Sequence, residues 1–238
     1  MGFIKPTVPD VDPETWRSAP WATRVQICSR HWAEEGFGTP SGVYLIYLLK
    51  IAAYVAGAAA VIATTPGLDG LGHISEWWTQ PIVYQKLVVF SLLFEILGLG
   101  CGSGPLTARF WPPIGGVLYW LRPNTIRLPP WPDRVPLTRG DTRTVVDVAL
   151  YAAVLISGVR LLLSAGQGDP GPVGLLDPML VVPVVIALVV LGLRDKTIFL
   201  AARAEHYGLT LLVFFFPYVD QLAAFKLIIL GLWWGAAT

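Results

Sequence analysis

Charged side chains set among long apolar runs have the strongest claim to chemistry in this chain, because an ion held out of water needs a partner or a task. They are Lys50, Lys86, Glu95, Asp147, Arg160, Arg203, Glu205, His206, Asp220 and Lys226. Asp147 and Arg160 lie within a turn or two of the ends of their runs and Lys86 lies close to one, so all three are expected to snorkel toward water. Lys50 and Glu95 lie deeper. At 1.5 Å per residue, Lys50 is about 12 Å and Glu95 about 8 Å from the same end of their runs. On adjacent antiparallel helices they would meet as an intramembrane charge pair. Such a pair either fixes helix register or serves a substrate or a proton.

A second polar cluster is the string RAEHY, in which Arg203, His206 and Tyr207 fall at i, i+3 and i+4 on one helix face while Glu205 points away. A histidine there can act as acid, base or ligand near neutral pH. The chain has only three histidines, His31, His73 and His206, which excludes a histidine-rich di-iron centre. His31 and Glu35, four apart, are a weak metal motif better read as a solvated face. No G-x-S-x-G or H-E-x-x-H motif is present. No metal and no cofactor is expected. The glycine cluster GLGCGSG, with Gly98 and Gly102 four apart and Gly100 and Gly104 four apart, misses both phosphate-loop spacings and reads as a helix stop with close packing. Cys28 and Cys101 have no CxxC spacing and are expected to be small buried residues.

The elements that must position these groups are membrane helices. Hydrophobic residues make up 54% of the chain, charged residues only 14%, and mean hydropathy is +0.60, which is too little polar surface for a water-soluble protein of this length. The spans are predicted at Gly42 to Thr64, Ile82 to Gly100, Thr144 to Leu163 and Leu175 to Leu193, the last with a kink expected at Pro183. Beyond them the sequence reads either as two spans, Thr197 to Phe216 and Tyr218 to Gly235 turning at Pro217, or as one Pro-kinked span from Leu209 to Trp234. Six spans fit bilayer thickness better than five. The fold class is therefore all-α, a polytopic membrane protein with five or six transmembrane helices.

Basic residues alternate between the connections. Lys5, Arg17, Arg24 and Arg30 precede the first span, the connection from Thr65 to Gln80 has no Lys or Arg, and the next carries Arg109, Arg122, Arg127, Arg134, Arg139 and Arg143. Residues Gly166 to Gly174 again have none, and Arg194, Lys196 and Arg203 follow the fourth span. By the positive-inside rule the N-terminus is cytoplasmic, in a bacterial inner membrane, with outer loops around His73 and Asp169. A net charge of +1, with arginines sorted by membrane side, excludes nucleic acid as a partner.

Two domains are expected. Residues 1–41 form a cytoplasmic segment with an amphipathic helix over Ser18 to Glu35, whose Trp21, Val25, Cys28 and Trp32 share one stripe, ended by Gly36 and Gly38. That helix is expected to lie in the inner membrane interface. Residues 42–238 form the transmembrane domain, with a Pro- and Arg-rich cytoplasmic loop at 105–143. Its stretch FWPPIGGVLYWL is too short to span and reads as interfacial or re-entrant. Pro123, Pro129, Pro130, Pro132 and Pro136 predict a stiff, extended strap, and Arg122, Arg127, Arg134 and Arg139 along it are expected to bind anionic lipid headgroups or a partner's acidic face. The ending WWGAAT, with no polar tail, suggests a fragment or the first half of something longer.

The strings RHWAEEGFGTP, WWTQPIVYQKLVVFSLLFEILGLGCGSGPLTARFWPPIGG, LRPNTIRLPPWPDRVPLTRGDTRTVVD and FFFPYVDQLAAFKLIILGLWWGAAT resemble an actinobacterial family of multi-pass transmembrane proteins of unknown function. The likeness covers the whole chain and matches the N-terminal half of members more than twice as long. It implies a membrane location and no mechanism. Three functions fit the sequence: a non-catalytic membrane subunit or scaffold that docks a partner or anionic lipid, a membrane-embedded enzyme acting on a lipid or isoprenoid near His206, or a small proton-coupled transporter using Lys50, Glu95, Asp220 and Lys226. The absence of a reaction motif favours the first.

Overall fold

A computed structural model describes residues 3, 5, 7–36, 40–100, 121–168, 173–197 and 204–237, the side chains of 204, 205, 236 and 237 excepted. The chain forms two compact units, Met1–Ala53 and Tyr54–Thr238. The described residues are helical, with isolated bridges in place of strands.

In the first unit, α1 (Pro13–Ser18) starts at the Asp12 cap, whose carboxylate accepts from the Thr15 backbone N–H at 2.8 Å. The single amphipathic helix expected from Ser18 instead begins at Trp21: Pro20 takes the N-cap position of α2 (Trp21–Glu35), so Ala19 and Pro20 separate two helices. Gly36 ends α2 at φ 74°, a left-handed value that glycine adopts cheaply. Gly38 lies outside the described residues. Cys28 is exposed, contrary to its reading as a buried residue, because the apolar stripe of α2 faces outward: Trp21 is 72% and Trp32 53% exposed.

α3 (Ser41–Ala63) crosses from the first unit into the second and matches the first predicted span within a residue. It and α6 (Val145–Leu163) are the described helices long and apolar enough to cross a membrane. Between them come α4 (Ile74–Trp77) and α5 (Pro81–Ile96). Gly57 admits α5 closely, since a Cβ there would stand 2.5 Å from Phe90 Cζ. α5 stops four residues short of the predicted end in a Schellman motif: Gly98, at φ 75°, sends its N–H to Glu95 O at 2.9 Å, and Leu99 sends its N–H to Phe94 O at 3.0 Å. The helix stop read from GLGCGSG is thus in place at Gly98, while Cys101, Gly102 and Gly104 lie outside the described residues.

α7 (Pro178–Arg194) carries Pro183 within it and packs antiparallel on α6. Then α8 (Ala204–Val213) and α9 (Gln221–Ala237) stand as two helices separated by a turn through Pro217, so a single kinked helix from Leu209 is not what forms. At 10 residues, α8 rises only about 15 Å. The core lies among α5, α6, α7 and α8. Tyr151 on α6 donates to Ile96 O at 2.8 Å, satisfying a carbonyl at the end of α5. At the opposite end of α5, buried Gln85 accepts from Leu176 N at 2.8 Å and donates to Gln221 Oε1 at 3.3 Å. Gln221 donates to Phe216 O at 3.0 Å, so two amides join α5, the start of α7 and the α8–α9 turn.

Candidate functional site

Two sites emerge in the second unit, and the first is a clasp made by the strap. Where an extended path was expected, the strap doubles back: Asn124 N–H meets Arg143 O at 2.8 Å, Arg143 N–H meets Thr125 O at 2.7 Å, and Arg127 N–H meets Asp141 O at 2.7 Å around an antiparallel bridge between Ile126 and Thr142. The prolines forbid helix, but they leave the intervening N–H groups free to pair across the fold-back.

Ion pairs pin this fold-back to the facing ends of α6 and α7. Arg143 Nη2 lies 2.5 Å from Asp195 Oδ2, with both side chains fully buried. Arg194 Nε lies 2.5 Å from Asp147 Oδ1, and Asp147 Oδ2 also accepts from the Thr144 N–H at 2.7 Å, capping α6. Arg127 Nη1 stands 3.8 Å from the same carboxylate. The Arg127 guanidinium also donates to backbone: Nε to Thr142 O at 2.9 Å, Nη2 to Arg139 O at 2.7 Å and Nη1, at the negative end of the α7 dipole, to Arg194 O at 3.3 Å. Leu128 closes the clasp, its N–H on Asp195 Oδ1 at 3.0 Å and its carbonyl accepting from Lys196 N at 2.7 Å.

The strap arginines therefore divide. Arg122, Arg134 and Arg139 are exposed, Arg139 with only a loose pair to Asp133 at 3.8 Å, whereas Arg127 is 2% exposed and engaged within the fold. A headgroup cannot reach Arg127 without opening the clasp. Asp147 does not snorkel as expected but is 1% exposed, because Arg194 comes to it. Lys86 does not snorkel either and is 1% exposed on α5, with no carboxylate paired to it among the described residues. Arg160 is exposed.

The second site is a cleft of about 580 Å³ between α5, α8 and α9. Leu87, Val88, Phe225, Ile229 and Leu232 give it apolar walls. Glu95 from α5 and His206 and Tyr207 from α8 also line it, so residues of two separate sequence clusters meet on one surface. Helix direction explains the meeting. The Gln85–Gln221 bond fixes one end of α5 beside the start of α9, and α8 runs antiparallel to α5, so the end of α5 and the start of α8 fall together at the other.

The polar groups farther along the cleft are engaged locally. Tyr84 OH donates to Trp78 O at 2.8 Å, Ser91 Oγ shares a 2.7 Å bond with Tyr54 OH, and Thr210 Oγ1 donates to Tyr207 O at 2.9 Å. The Glu95 carboxylate packs directly over Gly100, where any Cβ would overlap it. Arg203 lies outside the described residues. Lys50 is buried on the part of α3 that belongs to the first unit. Asp220 caps α9, accepting from Ala223 N at 3.0 Å, and Lys226 is exposed, so neither lines the cleft.

Sequence reasoning passed over one arrangement: Asp69, His73 and Glu76, all exposed, place one ligand-type atom each within 4.8 Å of the others at the start of α4 and in the loop before it. The spacing D-x3-H-x2-E was its available signal.

No curated protein and no solved structure matches the chain. The membrane reading rests on the long apolar helices α3 and α6 and on a family model that matches residues 1–238. The chain belongs to that family, described as a transmembrane protein of unknown function (DUF3556).

Proposed function

We propose that this protein is a non-catalytic membrane subunit that holds a lipid or isoprenoid, with the hydrocarbon in the α5–α8–α9 cleft and the polar end at Glu95, His206 and Tyr207. The observation that carries this reading is the cleft's polarity: apolar walls along its length, with a carboxylate, an imidazole and a phenol grouped where α5 ends and α8 begins. Its 580 Å³ falls within the common range for small-molecule sites. In this reading that end faces the cytoplasm, which the arginine alternation supports, and Arg122, Arg134 and Arg139 attract an anionic leaflet or an acidic partner surface. Each arginine near such a surface contributes about 1 kcal/mol, screened by salt.

Filling the cleft tests the reading. Val88→Trp should reduce the lipid that copurifies with the chain in native mass spectrometry, while Val159→Trp on the outward face of α6 should not; equal retention by both variants would refute it.

A second reading has one observation in its favour. Glu95 and His206 on one cleft are an acid–base combination suited to a lipid- or isoprenoid-processing enzyme. The fate of added lipid distinguishes the two, because a holding site returns it chemically unchanged, whereas an enzyme converts it and loses that turnover in His206→Asn. The transporter reading gains nothing from the placement of Asp220 and Lys226.

A further inference from the structure

The first unit turns an apolar surface outward. Trp21, Val25, Cys28 and Trp32 fall at i, i+4, i+7 and i+11 along α2, and all four are exposed. They make one stripe about 17 Å long. Arg24, Ile27 and His31 form the partly buried row of the same helix, so that row is turned into the unit and the stripe away from it. Thr23, Arg30 and Glu34, opposite the stripe, are exposed and polar. Trp16 of α1 joins the stripe in lining an open groove of about 630 Å³. At 72% and 53% exposure, Trp21 and Trp32 alone leave about 200–300 Å² of side chain uncovered. An apolar patch of that order commonly marks an interaction surface.

What covers the stripe follows from where the chain goes next. α3, which is long and apolar enough to cross a membrane, starts at Ser41, six residues after α2 ends at Glu35. Six residues reach at most about 21 Å. The beginning of the chain is held at the same place, because Phe3 O accepts from Gly42 N at 3.0 Å. A Cβ at position 42 would stand 2.8 Å from that oxygen, so glycine admits the contact. The segment carrying α1 and α2 is therefore tied at both ends to the first turn of α3. The surface within its reach is the headgroup layer, where indoles concentrate. Net charge does not supply the attraction: Lys5, Arg17, Arg24 and Arg30 are matched against Asp10, Asp12, Glu14, Glu34 and Glu35.

We propose that α1 and α2 lie in the headgroup layer at the N-terminal end of α3, with the stripe and groove against lipid and Thr23, Arg30 and Glu34 in water. The partner is the lipid surface itself, held through indole burial and without a requirement for anionic headgroups. This surface is separate from the cleft of the second unit, and either reading can fail without the other.

Cys28, in the middle of the stripe, serves as the probe. The full chain with Cys101→Ser is labelled there with a nitroxide and reconstituted at low protein density into phosphatidylcholine vesicles. Electron paramagnetic resonance then compares collisions with oxygen, which partitions into lipid, and with a nickel chelate, which stays in water. Oxygen should dominate at Cys28. Nickel should dominate at a label introduced by Arg30→Cys in a chain with both native cysteines replaced by Ser. Trp21→Gln combined with Trp32→Gln removes exposed side chains, which leaves the packing of α2 intact, and should abolish the contrast between the two positions. Added phosphatidylglycerol or salt should leave the contrast unchanged. The proposal is overturned if nickel reaches Cys28 as readily as position 30, or if the contrast appears only with phosphatidylglycerol. It is also overturned if both reagents are excluded from Cys28 with spin–spin broadening that grows with protein density, because a second copy of the chain would then cover the stripe.

Discussion

Asp195→Asn should be among the most destabilising single changes in the second unit. The carboxylate takes Arg143 Nη2 at 2.5 Å on Oδ2, and on Oδ1 it takes Leu128 N at 3.0 Å, Thr197 N at 3.1 Å and Thr197 Oγ1 at 2.7 Å. Every one of these partners donates, so an amide NH2 would face a donor whichever way it turned. Arg143 would keep its charge with the opposing one removed, at a site where both side chains are fully buried. Removing one member of a buried pair costs about 3–5 kcal/mol, against about 0–1 kcal/mol for an exposed pair. For a chain of this size, at about 2–4 °C per kcal/mol, that amounts to a fall in Tm of about 6–20 °C. Thermal unfolding followed by tryptophan fluorescence in detergent measures it. Asp133→Asn is the internal control, because its pair with Arg139 at 3.8 Å is more than 80% exposed on both sides and should move Tm by less than about 4 °C. Arg143→Met combined with Asp195→Asn should cost less than the two single changes added together. If Asp195→Asn behaves like Asp133→Asn, or the double variant is simply additive, the strap is not held as argued.

Other perturbations separate the remaining parts of the account. In a chain with Cys28 and Cys101 replaced by Ser, a cysteine at position 73 should react with an impermeant thiol reagent in intact cells and one at 122 or 139 should not; the reverse pattern would overturn the orientation. Gly100→Ala should push the Glu95 carboxylate aside and destabilise the chain by about 1–3 kcal/mol, with loss of retained lipid, whereas an unchanged Tm would mean the carboxylate does not rest there. Lys86→Met should raise stability by about 1 kcal/mol or more by removing a buried ammonium, and a fall in Tm would point to a partner for Lys86. Asp12, held below the usual carboxylate range by the Thr15 backbone N–H, should stabilise α1 fully above its unfolded pKa and cease to do so as pH falls through the lower folded value. Carboxyl-carbon NMR reads that titration directly, and a midpoint at the ordinary value would contradict the cap.

What was legible in the sequence was whatever depends on neighbours along the chain. Apolar runs bounded by polar residues put α3 and α6 within a residue of their ends, and Gly98 carried its helix stop in its own backbone freedom. The separation of α8 from α9 follows from Pro217, and the break between α1 and α2 has a local signal in Pro20 that the tryptophan stripe hides. What escaped depends on distant partners. Arg143 and Asp195 are 52 residues apart, and nothing near Arg127 distinguishes it from the exposed Arg134 until Asp147 and the end of α7 are brought to it. The meeting of Glu95 with His206 and Tyr207 likewise requires knowing that α5, α8 and α9 are neighbours. Lys86 and Asp147 were expected to reach water because they lie near helix ends, but both are buried, Asp147 beneath the strap residue Arg127 and the end of α7.

The most direct test of the lipid-holding cleft is a crosslinking map. The purified chain would be equilibrated with a lipid carrying a diazirine in its acyl chain, irradiated and digested, and the modified residues identified by mass spectrometry. The account predicts labels concentrated on Leu87, Val88, Ile229 and Leu232, lost on competition with unlabelled lipid, while labels on the outward faces of α3 and α6 are not displaced. Labels spread evenly over all apolar helices and equally insensitive to competition would contradict it.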